Sequence, residues 1–118
     1  MKMTKIYDGS HQWIMYGRDE NKRSNIIDTN QYIIRTATRC LLLEPGGVEL
    51  FAPMLAAVLH HAPVEEITDL FASHQDPDII SSLGLWDQAL PHAKLHAPAL
   101  WKVFCVILVV KPLNMSVF

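Results

Sequence analysis

His74, Asp76 and Asp78 place three metal-competent side chains within five residues, in the segment His74-Gln75-Asp76-Pro77-Asp78-Ile79. In an extended chain, residues i, i+2 and i+4 point to one side, so one cation can meet all three donors or two neighbouring cations can share them. One imidazole and two carboxylates form an oxygen-rich set. That set favours iron or manganese over the thiolate-rich sites of structural zinc, although zinc remains compatible with these donors. An EF-hand calcium site is excluded, because the segment lacks the loop glycine and the bidentate glutamate of that motif. The same residues also fit a helix start. Asp76 is a good N-cap, Pro77 suits the first helical position, and Asp78 complements the positive end of the helix dipole. By spacing alone, both aspartates can be explained either way.

The elements around the segment decide what it could meet. Ile67 to Ala72 is apolar at Ile67, Leu70, Phe71 and Ala72, which predicts a strand ending at the motif. Ile79 to Leu85 reads as a short helix closed by Gly84, followed by Trp86 and a polar link to Pro91. Upstream, Gln12–Tyr16 has strand composition, and Gly17–Ser24 is a charged loop. Gln31–Arg35 and Arg39–Leu43 form a hairpin across Thr36-Ala37-Thr38, and Glu44-Pro45-Gly46-Gly47 turns the chain sharply, its glycines permitting positive φ. A helix over Val48–His60 buries Phe51, Met54, Leu55, Val58 and Leu59, with Pro53 confined to its first turn. Ala93–Ala97 adds a strand, and Pro98 begins a helix reaching about Phe104. A strand meander followed by strands alternating with helices predicts an α/β fold, a sheet with helices packed on it.

Composition narrows the class. The chain has 118 residues, half of them apolar, which suits one domain with a single core. A formal net charge of −2, with no basic cluster denser than Lys22-Arg23, excludes a phosphate-tracking surface, so nucleic acid is not an expected partner. No apolar stretch follows the charged N-terminus before Asp8, and none reads as a secretory signal. The longest apolar run, Val103 to Val110, is far shorter than the ~20 residues of a spanning helix, so no membrane insertion is expected. Cys40 and Cys105 stand apart without CxxC spacing and suit buried thiols in a reducing cytoplasm.

Ser73-His74-Gln75-Asp76-Pro77-Asp78-Ile79 directly after a strand resembles the H-x-[E/D]-x-D motif of metallo-β-lactamase-fold diiron proteins, which include flavodiiron oxygen and nitric oxide reductases and smaller oxygen-binding proteins linked to chemotaxis. Asn30 to Ile34 followed by Leu41-Leu42-Leu43-Glu44-Pro45-Gly46-Gly47 is similar to the early strand pair and glycine turn of that fold. The likeness spans about residues 6 to 104 and is most specific at 67 to 79 and 41 to 47. It implies the N-terminal part of an αββα sandwich, built on a mixed sheet with helices packed on it. It further implies a two-iron centre in the complete family site, with His74 and Asp76 resembling ligands of one iron and Asp78 a ligand of the second. Dioxygen or nitric oxide is the implied substrate or signal, and a signalling or electron-donor protein the implied partner.

Hydrolytic members of the superfamily carry HxHxDH. Here Asp76 replaces an imidazole and Ile79 removes the last histidine, so a zinc-dependent hydrolase is the weakest reading. Flavodiiron enzymes usually have glutamate at the Asp76 position, which brings the smaller oxygen-binding proteins closer. The family's later histidine, bridging aspartate and final histidine have no convincing counterparts. His92 and His96 read as surface or loop residues, His60-His61 as partners of a helix dipole, and His11 has no partner in sequence. Residues 105–118 match no motif of the fold and read as a divergent tail on a single truncated domain spanning 1–118. Such a half-fold would leave sheet edges and an apolar face open, inviting homo-oligomers. The alternative to a diiron protein is therefore a non-catalytic fragment or interaction module.

Overall fold

The computed structural model describes residues 2–17, 29–73, 81–98 and 115–117. Within them runs one seven-stranded mixed sheet in which every strand neighbours the next in sequence. The strands are β1 (Lys2–Asp8), β2 (Gln12–Gly17), β3 (Gln31–Arg35), β4 (Cys40–Leu43), β5 (Asp69–Phe71), β6 (Lys94–Ala97) and β7 (Met115–Val117). β1 to β4 form an antiparallel meander, and β4 to β7 pair in parallel. Two helices, α1 (Phe51–Leu59) and α2 (Leu83–Ala89), lie in the connections β4 to β5 and β5 to β6.

The core follows from strand alternation. Ile14, Ile33, Leu42, Leu70 and Leu95 are paired in register across five strands and all lie on one face, each at most 5% exposed. Met54 and Val58 of α1 pack on this face together with Leu83 and Trp86 of α2 and with Leu90. The ring of Trp86 meets Phe51 edge-on at 5.0 Å, joining the two helices. The opposite face carries Met15, Tyr32, Leu43, Phe71 and His96 in one registered row and Trp13, Ile34, Leu41, Asp69 and Lys94 in the next. Most of these side chains are half-buried, whereas Asp69 is buried.

The hairpin of β3 and β4, the strand expected at Ala93–Ala97 and the strand before the motif all form, the last two shortened to Lys94–Ala97 and Asp69–Phe71. The expected helix over Val48–His60 is divided. Val48–Leu50 is a 3₁₀ turn, and the α-helix begins at Phe51, which puts Pro53 in the first turn, where no intrahelical N–H bond is lost. Leu59, expected in the buried stripe, is 48% exposed.

The next helix needs correction. It runs from Leu83 to Ala89, so Gly84 stands near its start instead of closing it, and Trp86 lies inside it as a fully buried anchor. The reason is periodicity: Leu83, Trp86 and Leu90 line one face, and burying that indole outweighs the cost of one glycine in the helix.

β1 is absent from the sequence reading. All seven of its residues are exposed, so the strand has no apolar alternation to betray it. Among the described residues β1 is an edge strand, and a bulge between Lys5 and Tyr7, with Lys2 and Lys5 on the strand, discourages further pairing there. The loop over 18–24, the helix from Pro98 to Phe104, the run Val103–Val110, Cys105 and all but the β7 residues of the tail 105–118 lie outside the described residues.

Two histidine expectations change. His61, expected as a partner of its helix end, also turns its ring to the sheet. Its Nε2 donates to Gln12 Oε1 at 3.0 Å and its carbonyl accepts from Arg35 Nη1 at 2.9 Å, so it ties α1 back to β2 and β3. Burial, with Arg35 and Lys5 nearby, pushes the imidazole pKa down. His96 is neither a surface nor a loop residue; it is a half-buried member of β6. His92 is exposed in a turn, as expected, and the ring of His11 lies 4.6 Å from that of Tyr7.

Candidate metal centre

β4, β5 and β6 run parallel and end together at Leu43, Phe71 and Ala97. Sites in parallel sheets form at the carboxyl ends of strands, and the motif begins three residues past the end of β5. His74, Asp76 and Asp78 themselves lie outside the described residues. What the structure shows is the frame that holds both ends of their segment.

That frame is the 44–48 turn. Glu44 takes a positive φ of 58°, unusual for a residue with a Cβ and costing roughly 1–2 kcal/mol. Its amide donates to Phe71 O at 2.8 Å, and its Oε1 accepts from the amide of Ser73 at 2.7 Å. The left-handed step thus turns the Glu44 carboxylate back over the end of β5. Ser73, the residue before His74, is held by it.

On the far side of the segment, Ser81 Oγ accepts from the amide of Val48 at 2.8 Å, and buried Ser82 Oγ donates to Gly46 O at 2.6 Å. Both ends of the motif segment therefore rest on one turn. Gly46 sits at φ 88°, where an added Cβ would stand 3.0 Å from Gln31 Nε2 and 3.2 Å from Leu50 Cδ1. Gly46→Ala is expected to cost about 1–2 kcal/mol, seen as a lowered urea midpoint with an unchanged m-value. A midpoint equal to the parent's would show that the turn is not constrained as described.

A second polar group occupies the sheet face away from the helices. Asp69 accepts from Arg39 Nε at 3.1 Å and Nη2 at 2.5 Å, from Thr68 Oγ1 at 2.6 Å and from His96 Nε2 at 2.7 Å. Since a carboxylate only accepts, His96 carries its proton on Nε2. Burial alone would raise the Asp69 pKa, but the bonds from Arg39, Thr68 and His96 outweigh it and hold the carboxyl below its usual range. At the hairpin end of β4, burial pushes the Cys40 thiol up to about 11. Cys40 is therefore a protonated core residue rather than a thiolate ligand.

Among the described residues, no group of three or more His, Cys, Asp or Glu side chains converges to hold a metal. The candidate donors remain His74, Asp76 and Asp78, and their chemistry fits iron: hard carboxylate oxygens with one borderline imidazole. Sequence reading missed Glu44, Ser81, Ser82 and the Asp69 group. An aspartate inside a strand was the one available signal, because a buried carboxylate requires donors. Its partners His96 and Arg39, 27 and 30 residues away, carry no local mark.

Residues 27–116 match the family described as ODP family beta lactamase. The whole chain superposes on the peroxy diiron species of the chemotaxis sensor ODP with a TM-score of 0.79 and 31% identity, covering 100% of this chain and 46% of that one. The apo state of the chemotaxis sensor ODP from T. denticola gives 0.76 and 31%, over 99% and 45%. Rubredoxin oxygen:oxidoreductase from Desulfovibrio gigas gives 0.78 at 18% identity, over 99% and 31%, a likeness of fold alone. The search of curated proteins finds no match. The chain spans just under half the length of the ODP sensors that it matches. Its mixed sheet with two helices is the N-terminal half of a metallo-β-lactamase-like fold, and with the family match running over 27–116 the chain belongs to the ODP family of beta lactamases.

Proposed function

We propose that the chain contributes the first half of a diiron centre that binds dioxygen or nitric oxide, as part of a sensor or a reductase. The observation that carries this reading is a turn that binds Ser73 before the 74–80 segment and Ser81 and Ser82 after it, at the carboxyl ends of three parallel strands, in a chain 31% identical to a diiron chemotaxis sensor. His74, Asp76 and Asp78 would hold the metal, with iron favoured by the donors and zinc or manganese as competitors. When bound, iron supplies the gas binding or redox chemistry. The chain itself orients the donors, through Glu44 at one end of their segment and the two serines at the other.

Reductase chemistry would require an electron-donor protein, and sensing would require a signalling partner. Among the described residues no helix is long and apolar enough to cross a membrane. We place residues 1–118 in one domain, the family match running on through most of 105–118.

Anaerobic purification followed by metal analysis tests the reading. Iron bound in a defined ratio supports it, while less than about a tenth of an iron per chain, with no uptake on addition of ferrous ion, rules it out for this chain. A second reading, an interaction module without a competent site, is separated from the first by His74. It expects His74→Ala to change neither metal content nor stability.

A further inference from the structure

We infer that the sheet face away from the helices seats a second copy of this chain, two sheets packing face to face about a two-fold axis that runs along β4. α1 and α2 both pack on the other face, and the molecule measures 22 Å in its shortest dimension, enough for one sheet and one layer of helices. The centre of the remaining face is apolar. Leu41 and Leu43 of β4 stand beside Ile34 of β3 and Met15 of β2, all of them half-buried. Such a face finds its stable position against another apolar layer.

The strand register says why that layer is a second copy. Trp13, Ile34, Leu41, Asp69 and Lys94 form one row across β2 to β6, with Leu41 in the middle. Two strands lie on either side of β4 in this row, so a two-fold along β4 lays β2 of one copy across β6 of its mate and β3 across β5. Leu41 then meets Leu41. Trp13, 37% exposed, comes opposite the exposed Lys94, and the pair is made twice. An indole face attracts a lysine ammonium, so the row is complementary to its own reverse. Asp69 comes opposite Ile34, but its carboxylate is already satisfied by Arg39 and His96 within its own sheet, so covering it leaves no unpaired charge. Packed sheets are rotated by about 30°, and the tryptophan and lysine, farthest from the axis, are long enough to meet across that angle.

Sedimentation velocity of the full chain from about 1 to 100 μM reads the association. The parent is expected to form a reversible dimer. Leu41→Lys sets two ammonium groups against each other on the axis and is expected to weaken the dimer by about tenfold or more. Trp13→Lys and Lys94→Glu give the sharper test. Within one chain these positions are separated by four strand spacings, about 19 Å, too far for direct contact. Across the two-fold they touch. Trp13→Lys alone is expected to weaken the dimer about tenfold, and Lys94→Glu added to it in the same chain to restore the parent's affinity.

A parent that stays monomeric over the whole range would overturn the inference and leave this face to a layer from a different polypeptide. A dimer indifferent to Leu41→Lys would overturn it too, since the contact would then lie elsewhere on the molecule. So would a double variant no tighter than Trp13→Lys. Should Leu41→Lys fail to fold, the exposed positions 13 and 94 decide the matter alone.

Discussion

Replacing His74 by alanine is expected to weaken iron binding by more than about 100-fold, beyond the 10–100-fold typical of residues that merely support a ligand. The reason is the size of the donor set. With three donors in the segment, removing the only imidazole leaves two carboxylates and no nitrogen. Asp76 gives the sharper discrimination, because asparagine caps a helix about as well as aspartate but is a neutral, poor ligand. If Asp76 is a ligand, Asp76→Asn keeps its thermal midpoint and loses iron. If Asp76 is only an N-cap, Asp76→Asn changes neither, whereas Asp76→Ala lowers stability by about 1 kcal/mol. Anaerobic iron titration beside thermal unfolding of the metal-free chain reads both quantities. Full iron content in His74→Ala and Asp76→Asn would sink the diiron assignment.

How much of this was legible depended on range. β2, β3, β4 and β6 are readable because short apolar runs such as Tyr32-Ile33-Ile34 and Cys40-Leu41-Leu42-Leu43 stand between loop-like residues, even where both faces are apolar and no alternation shows. β1 was not, since an edge strand exposed on both faces selects no pattern. The boundaries of α2 differ from the expectation at Gly84 because glycine locally disfavours a helix, while the Leu83, Trp86, Leu90 stripe that fixes the helix lies mostly beyond it. The left-handed conformation expected of the two turn glycines is divided differently: Gly46 takes it and Gly47 does not, and the other left-handed residue is Glu44. A carboxylate bonded to an amide 29 residues away can hold a strained backbone that its own propensity disfavours. The metal motif showed the reverse pattern. Its donors are adjacent in sequence and visible at once, whereas the residues that bind the flanking Ser73, Ser81 and Ser82 come from a turn 29 to 36 residues upstream.

The Asp69 group gives the second large effect, a dependence of stability on pH. Its side chain is 5% exposed and satisfied by four bonds from β5's own approach, the β3–β4 hairpin and β6, so it joins three parts of the sheet. Asp69→Asn is expected to cost about 2 kcal/mol at pH 7, because the charge that pairs with Arg39 is lost and the amide turns a hydrogen-bond donor toward at least one of its former donors. Arg39 is 65% exposed, which keeps the loss below that of a fully desolvated pair. The carboxyl titrates lower in the folded chain than the unfolded value of about 3.9. Its contribution is therefore fully present above about pH 4 and is lost as pH falls through the folded value. Urea unfolding at pH 7, 5 and 3 should show the parent and Asp69→Asn separated by the same gap at the first two and by a smaller one at the third. A gap that stays constant down to pH 3 would mean that Asp69 contributes through packing alone, and that its bonds to Arg39 and His96 do not favour the ionised form.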